Sequence, residues 1–297
     1  GREIKALLAH PEVKSTYEVD TLYEYLTFQF VMGESTMFSN IYKVLPGHFM
    51  TIDLQTWDTK SVQYWEPDFR IDQYHTEDYF IVELQKILQE TISQQLRSDV
   101  PLGTYLSGGL DSSLVTIMAA KILGKPIKSF AGGFKEGPEF NEFEYAQAAA
   151  KAANADLFEI YPTEQEFIDL LPKLIYHLDE PVAGPGLFPQ YIVSKFASGH
   201  VKVILGGQGG DEIFGGYARY LVAYLEQAIK GAMFESNEEG EHIVSLMSIL
   251  PNLPSLKQYL PMLKNFWSDG VFEPMDRRYF NLINRMENTD CYFHREF

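Results

Sequence analysis

Hydrophobic and polar positions follow three regimes along the chain. Residues 1 to 64 begin with helical spacing in "EIKALLAH" and "TLYEYLTFQF", then change to the strand-like alternation "HFMTIDL" just after the turn signal Pro46-Gly47. They predict the end of an α+β domain. The stretch "WEPDFRIDQYHTED" loses that periodicity, carries a proline and leads to Thr76, a helix N-cap type followed at once by acids. A linker over 65–75 is expected, with a second domain over 76–297.

That second domain alternates two periods. A helix to about Arg97 precedes the apolar strand "GTYLS"; a helix over 112–123 precedes "IKSFAGGF"; a helix over 142–153 precedes "LFEIY"; a further helix pair leads to "HVKVILGG". Short apolar strands separated by helices of ten or more residues predict a parallel sheet with helices on both faces, an α/β fold. From about Ala218 the spacing is helical, interrupted by Pro251, Pro254 and Pro261, with no chemical motif.

Composition narrows the function. The 297 residues are 45% hydrophobic with a formal net charge of -17, which disfavours nucleic acid and anionic membrane as partners. The single cysteine, Cys291, excludes an internal disulfide and a cysteine metal cluster. There is neither a membrane-spanning apolar run nor a signal-peptide pattern, so a cytoplasmic location is expected. Gly1-Arg2 opens directly in a helical pattern and the chain stops at "CYFHREF", so a fragment of a larger protein is expected.

Two glycine-rich loops stand at strand ends, where open α/β sheets bind ligands. In "LSGGLDSS", 106 to 113, Ser107-Gly108-Gly109 lets backbone amides approach an anion, the following helix turns its positive end toward it, and Ser112 and Ser113 add hydroxyl donors. No lysine follows the glycines, so this is not the Gly-Lys-Ser/Thr nucleotide loop. The second, "GGQGGDEIFGG", has six glycines in eleven positions around Asp211-Glu212. The seven histidines are scattered without ligand spacing, so zinc is not expected. Asp179-Glu180 at a helix end reads equally as active-site rim or helix-end acids, and Glu139 and Glu142 read in the same two ways, with a lid as a further reading.

"LSGGLDSS", "SFAGGF" with "EFNE", "LDEPVAGPGLFPQYIVSK" and "GGQGGDEIFGGYARY" stand in the order and spacing of the synthetase domain of glutamine-dependent asparagine synthetases, a family within the PP-loop ATP pyrophosphatases. Residues 1 to 64 resemble the end of that family's N-terminal-nucleophile glutaminase domain. The resemblance implies an adenine nucleotide alpha hydrolase-like fold and an ATP-dependent ligase. It forms an acyl-adenylate on the aspartate side chain, releases pyrophosphate, and amidates with ammonia from glutamine. It places Ser107, Gly108, Gly109, Asp111, Ser112, Ser113 and Gln208 in catalysis, and Leu106, Gly132, Gly206 and Gly207, with Ser107 and Ser113, around ATP. Asp111 and Asp211 would hold Mg²⁺. A cysteine upstream and a lysine beyond residue 297 would complete the enzyme, and a homodimer is admissible.

Two positions depart from the family pattern. Gln208 stands where many members carry Glu, which keeps hydrogen bonding but loses charge and any base role. Gly184 and Gly186 stand where "DEP" is usually followed by Asp and Ser. An acceptor other than aspartate (a sugar acid, a peptide, a β-lactam-type precursor) and a catalytically silent nucleotide-binding module therefore stay open.

Overall fold

A computed structural model of the chain describes residues 3–14, 16–70, 72, 74–134, 142–181, 184, 186–234, 246–268 and 270–286. They divide into two units, one of residues 74–174 with 184–221 and one of residues 1–73, 175–183 and 222–297.

The first unit is built on four parallel strands: β3 (Leu102–Tyr105), β4 (Lys128–Gly132), β5 (Asp156–Ile160) and β6 (Val203–Leu205). Their order across the sheet is β5-β4-β3-β6. The chain enters at β3, steps one way through β4 and β5, then returns to β6 on the other side. The direction thus reverses at β3, and the crevice beyond the carboxyl ends of β3 and β6 is the topological switch point where such sheets bind ligands.

Alternation along the strands assigns the two faces. On one, Ile92 of α3 (Glu77–Gln95), Ala119 and Ala120 of α4 (Leu110–Leu123) and Ala153 of α5 (Phe143–Ala153) pack with Ile127. Ala146, Ala149 and Ala150 bring α5 down onto Leu106 and Ala131. On the other, α7 (Leu187–Ala197) buries Val193 and Ala197 against Phe130 and Val201. Phe130 stacks on Phe158 with ring centroids 5.3 Å apart. Neighbours Phe130 and Ala131 pointing to opposite helical layers is the period of two expected of a strand buried on both faces. Thr76 caps α3, its side chain accepting from the Tyr79 amide, where the sequence places the start of the domain.

In the second unit, α1 (Ile4–Leu8) and α2 (Val19–Phe28) precede the antiparallel hairpin of β1 (His48–Ile52) and β2 (Thr59–Gln63). The end of α6 (Glu164–Leu178) contributes Asp179, whose carboxylate accepts from the Ile4 amide at 2.8 Å and pairs with Lys5. Glu180 accepts from the Met37 amide at 3.1 Å and pairs with Lys43 at 3.5 Å. Both acids therefore act as structural ties within this unit. The helical remainder comprises α8 (Gly210–Phe214) in the first unit, α9 (Ala218–Phe234), α10 (Leu246–Ile249), a 3₁₀ segment (Leu250–Tyr259), α11 (Leu260–Ser268) and α12 (Met275–Ile283). Cys291, His294 and Glu139 lie outside the described residues.

Candidate functional site

The first loop leaves β3 at Leu106, fully buried, and turns sharply at Gly108, whose φ of +97° suits glycine alone. A Cβ there would sit 2.6 Å from the Glu142 carbonyl, so the loop is pressed against the start of α5. Gly109 then caps α4 without any side-chain hydrogen bond, leaving the amides of the first turn for another acceptor.

The hydroxyls of this loop bond to one another. Ser112 donates to the Gly109 carbonyl at 3.1 Å, and Ser107 Oγ accepts from the Gly109 amide at 3.3 Å. The two hydroxyls are 3.0 Å apart, and because a hydroxyl has one proton, Ser107 is the donor between them. Exchanging these bonds for an incoming anion costs the loop little new desolvation.

The second loop leaves β6 and packs straight onto the first. A Cβ on Gly207 would lie 2.6 Å from the Ser112 amide and 2.7 Å from Asp111 Cβ, while one on Gly210 would overlap the Asp111 carboxylate. One on Gly216 would overlap Asp211 Oδ1. Bare backbone thus lets two strand-end loops meet with an acid from each at the seam. Tyr217 donates to Glu212 at 2.6 Å, and the Arg219 guanidinium lies 3.9 Å from the Tyr217 ring centroid.

Between the loops is a cavity of about 570 Å³, inside the range of roughly 300–1,000 Å³ usual for small-molecule sites. Of the residues singled out in the sequence, Leu106, Ser107, Gly109, Asp111 and Ser112 line it from the first loop, and Gly132 from the end of β4. Gly206, Gly207, Gln208 and Asp211 line it from the second. Gly108 and Ser113 are not part of the lining: Gly108 makes the turn, and the Ser113 amide closes the first turn of α4 on the Gly109 carbonyl at 3.0 Å. Tyr105, Pro189, Gln190 and Val193 are also in the wall, and the sequence assigns them no role. Their signal is faint, because a strand residue and one face of a helix read simply as core.

Among the described residues no group of three His, Cys, Asp or Glu could hold a metal. Asp111 and Asp211 still suit Mg²⁺, which characteristically takes one or two carboxylates plus phosphate oxygens and water. Gly207 and Gly210 pack on Asp111 and Gly216 on Asp211, so a side chain at any of these three positions would overlap the acid.

The Tyr217 hydrogen bond holds the Glu212 carboxyl below its ordinary pKa. A depressed carboxylate contributes stability above its unfolded pKa and loses it as pH falls through the folded value. Tyr217→Phe is expected to raise the Glu212 pKa toward the ordinary carboxylate range and to remove that acid-side loss, read by NMR titration of Glu212. An unchanged titration would refute the assignment.

Comparison with known proteins bears on both units. The family model described as "Asparagine synthase" matches residues 83–288, and the "Glutamine amidotransferase domain" model matches residues 1–65. Asparagine synthetase [glutamine-hydrolyzing] 1 of Bacillus subtilis (strain 168) is 36% identical over 201 residues, 68% of this chain and 31% of that protein. A putative asparagine synthetase [glutamine-hydrolyzing] 2 of Methanocaldococcus jannaschii is 32% identical over 232 residues, 77% of this chain and 44% of that protein. The chain thus spans between about a third and under half of the length of these relatives. A solved NH3-dependent NAD synthetase from Campylobacter jejuni aligns at 16% identity with a TM-score of 0.34, covering 67% of this chain and 95% of that one, too distant to carry an argument. With the synthase model matching more than half of its length, across the strands and loops that form the cavity, the chain belongs to the asparagine synthase family.

Proposed function

We propose that the chain is the ATP-using part, with the end of a glutaminase domain, of an enzyme that activates the aspartate side-chain carboxylate as an acyl-adenylate and amidates it with ammonia from glutamine. Residues 76–297 would belong to the synthetase domain and 1–64 to the glutaminase domain, joined through 65–75. The observation that carries this reading is that both glycine loops and both acids, Asp111 and Asp211, line one cavity at the switch point of the sheet.

The chemistry follows from what these residues can do. Ser107, Ser112 and the uncapped amides of α4 receive the β- and γ-phosphates, with Gly108 and Ser113 shaping the loop from behind. Leu106, Gly132, Gly206 and Gly207 would surround the adenosine, the three glycines presenting backbone to it with the Val193 and Tyr105 side chains packed beside Gly132 and Gly206. Asp111 and Asp211 would hold Mg²⁺, which when bound neutralises the pyrophosphate as it leaves. The acceptor carboxylate is already ionised, so its oxygen attacks the α-phosphorus without a base, and the α–β bond breaks to release pyrophosphate. Ammonia then takes the acyl group and AMP leaves. Positioning and neutralisation dominate, and Gln208 orients by hydrogen bonding.

A second reading rests on the neutral rim. Gly186, Gln190 and Gln208 line the cavity where a base or a charged acceptor clamp could stand, which suits a carboxylic acid other than free aspartate. ATP–pyrophosphate exchange by the full-length protein with a panel of acids separates the two. Aspartate-dependent exchange supports the first reading; exchange with a sugar or peptide acid and none with aspartate supports the second. ATP binding without exchange with any acid overturns both in favour of a silent nucleotide module.

A further inference from the structure

Beneath the first loop runs a chain of hydroxyls that touches neither the cavity nor solvent. Thr104 of β3, Ser129 of β4 and Thr116 of α4 are each 0% exposed. Thr104 Oγ1 and Ser129 Oγ are 2.8 Å apart across neighbouring strands. Thr116 Oγ1 lies 3.0 Å from Thr104 Oγ1 and 2.8 Å from the Ser112 carbonyl. The face assignment explains the meeting: Thr104 and Ser129 are the strand positions that look toward α4, between apolar neighbours that fill the same layer.

A threonine bonding back to the carbonyl four residues earlier is common in helices and by itself implies nothing more than a local tie. What differs here is the second partner. The Thr116 hydroxyl has one proton and two acceptors within reach, one in the loop and one in the sheet. Ser112 is the residue whose hydroxyl receives the Ser107 proton and whose amide touches Gly207. Thr116 therefore joins the sheet to Ser112, in the first turn of α4, which meets both Ser107 and Gly207 of the second loop. Buried hydroxyls linked to one another and to a backbone carbonyl polarise each other and fix their holders tightly.

We propose that Thr116 is a positioning residue of the phosphate site, its hydroxyl holding Ser112, and through it Ser107, in the register that receives pyrophosphate. The proposal rests on the nucleotide reading of the cavity. The test is calorimetric titration of the full chain with magnesium pyrophosphate, for wild type, Thr116→Val and Thr116→Ser. Thr116→Val keeps the shape and removes the hydroxyl; affinity is expected to fall by about five- to tenfold, the scale of one buried hydrogen bond. Thr116→Ser, which keeps the hydroxyl, is expected to return to within about twofold of wild type. Thr116→Ala, a better helix former, carries the same expectation as Val if the Val variant does not fold. Wild-type binding with unchanged affinity in the hydroxyl-free variant, whatever happens to its Tm, overturns the proposal alone. No pyrophosphate binding by wild type overturns the nucleotide reading and the proposal with it.

Discussion

Asp111→Asn in the full-length protein is expected to lower ATP–pyrophosphate exchange by about 10²–10³-fold, the scale seen when one preorganised electrostatic group is removed from an active site, with little change in fold. Asparagine matches aspartate in shape, so the side chain can still pack against Gly210, where even one added carbon would overlap the carboxylate. What is lost is a charge at the seam of the two loops. Asp111 also stands in the first turn of α4, where an acid stabilises the helix end by about 0.3–1 kcal/mol. The two roles predict opposite patterns. A helix-end acid alone would cost a small drop in Tm and leave exchange intact; a magnesium ligand would cost exchange far more than stability. Asp211→Asn should match it, and the double variant should lose little beyond either single one, because two ligands of one ion act as a unit. Exchange within threefold of wild type in Asp111→Asn would remove the metal role.

Both loops carrying this prediction were legible in the sequence, and for a physical reason. A strand that ends in Ser-Gly-Gly and continues as a helix has few other uses, and the alternation of periods from Thr76 onward requires a parallel sheet. The sheet order, β5-β4-β3-β6, then follows from structure alone. Less visible was the division of labour inside the loops. Gly108 and Ser113 belong to the same motif as Ser107 and Asp111, yet a positive φ turns the first away toward α5, and the second, whose amide starts the α4 ladder on the Gly109 carbonyl, is not in the cavity lining. Thr104, Thr116 and Ser129 were invisible because a threonine in a strand or on a buried helix face reads as β-propensity or core filler. Only the register across three elements brings them together. Asp179 and Glu180 were readable as acids at a helix end, but their partners lie far away in sequence, at Ile4, Lys5, Met37 and Lys43.

The helical segment after Ala218, silent as sequence, holds the least expected pair in the molecule, and Arg278→Met is predicted to destabilise its unit by about 3–5 kcal/mol. Glu226 of α9 is 0% exposed and Arg278 of α12 is 1% exposed. Arg278 donates from Nε to Glu226 Oε1 at 3.0 Å, from Nη2 to Oε2, and from Nη1 to the Phe266 carbonyl at 2.6 Å. Its guanidinium also lies 4.0 Å from the Phe266 ring centroid, and the Phe272 amide donates to Glu226 Oε1 at 3.1 Å. Four segments therefore converge on one ion pair. Removing the arginine leaves a buried carboxylate that, among the described residues, keeps the Phe272 amide as a donor but no cation, and the uncompensated charge dominates the cost. Replacing both partners, as in Glu226→Met with Arg278→Leu, removes the orphaned charge and should recover most of the loss, because paired buried ions roughly balance their own desolvation. Chemical denaturation of the single and the double variant beside wild type measures this directly. A single variant within about 1 kcal/mol of wild type would mean that the pair is solvated enough to be dispensable; a double variant as unstable as the single one would mean that the geometry of the fork, rather than its charge balance, holds α9 and α12 together.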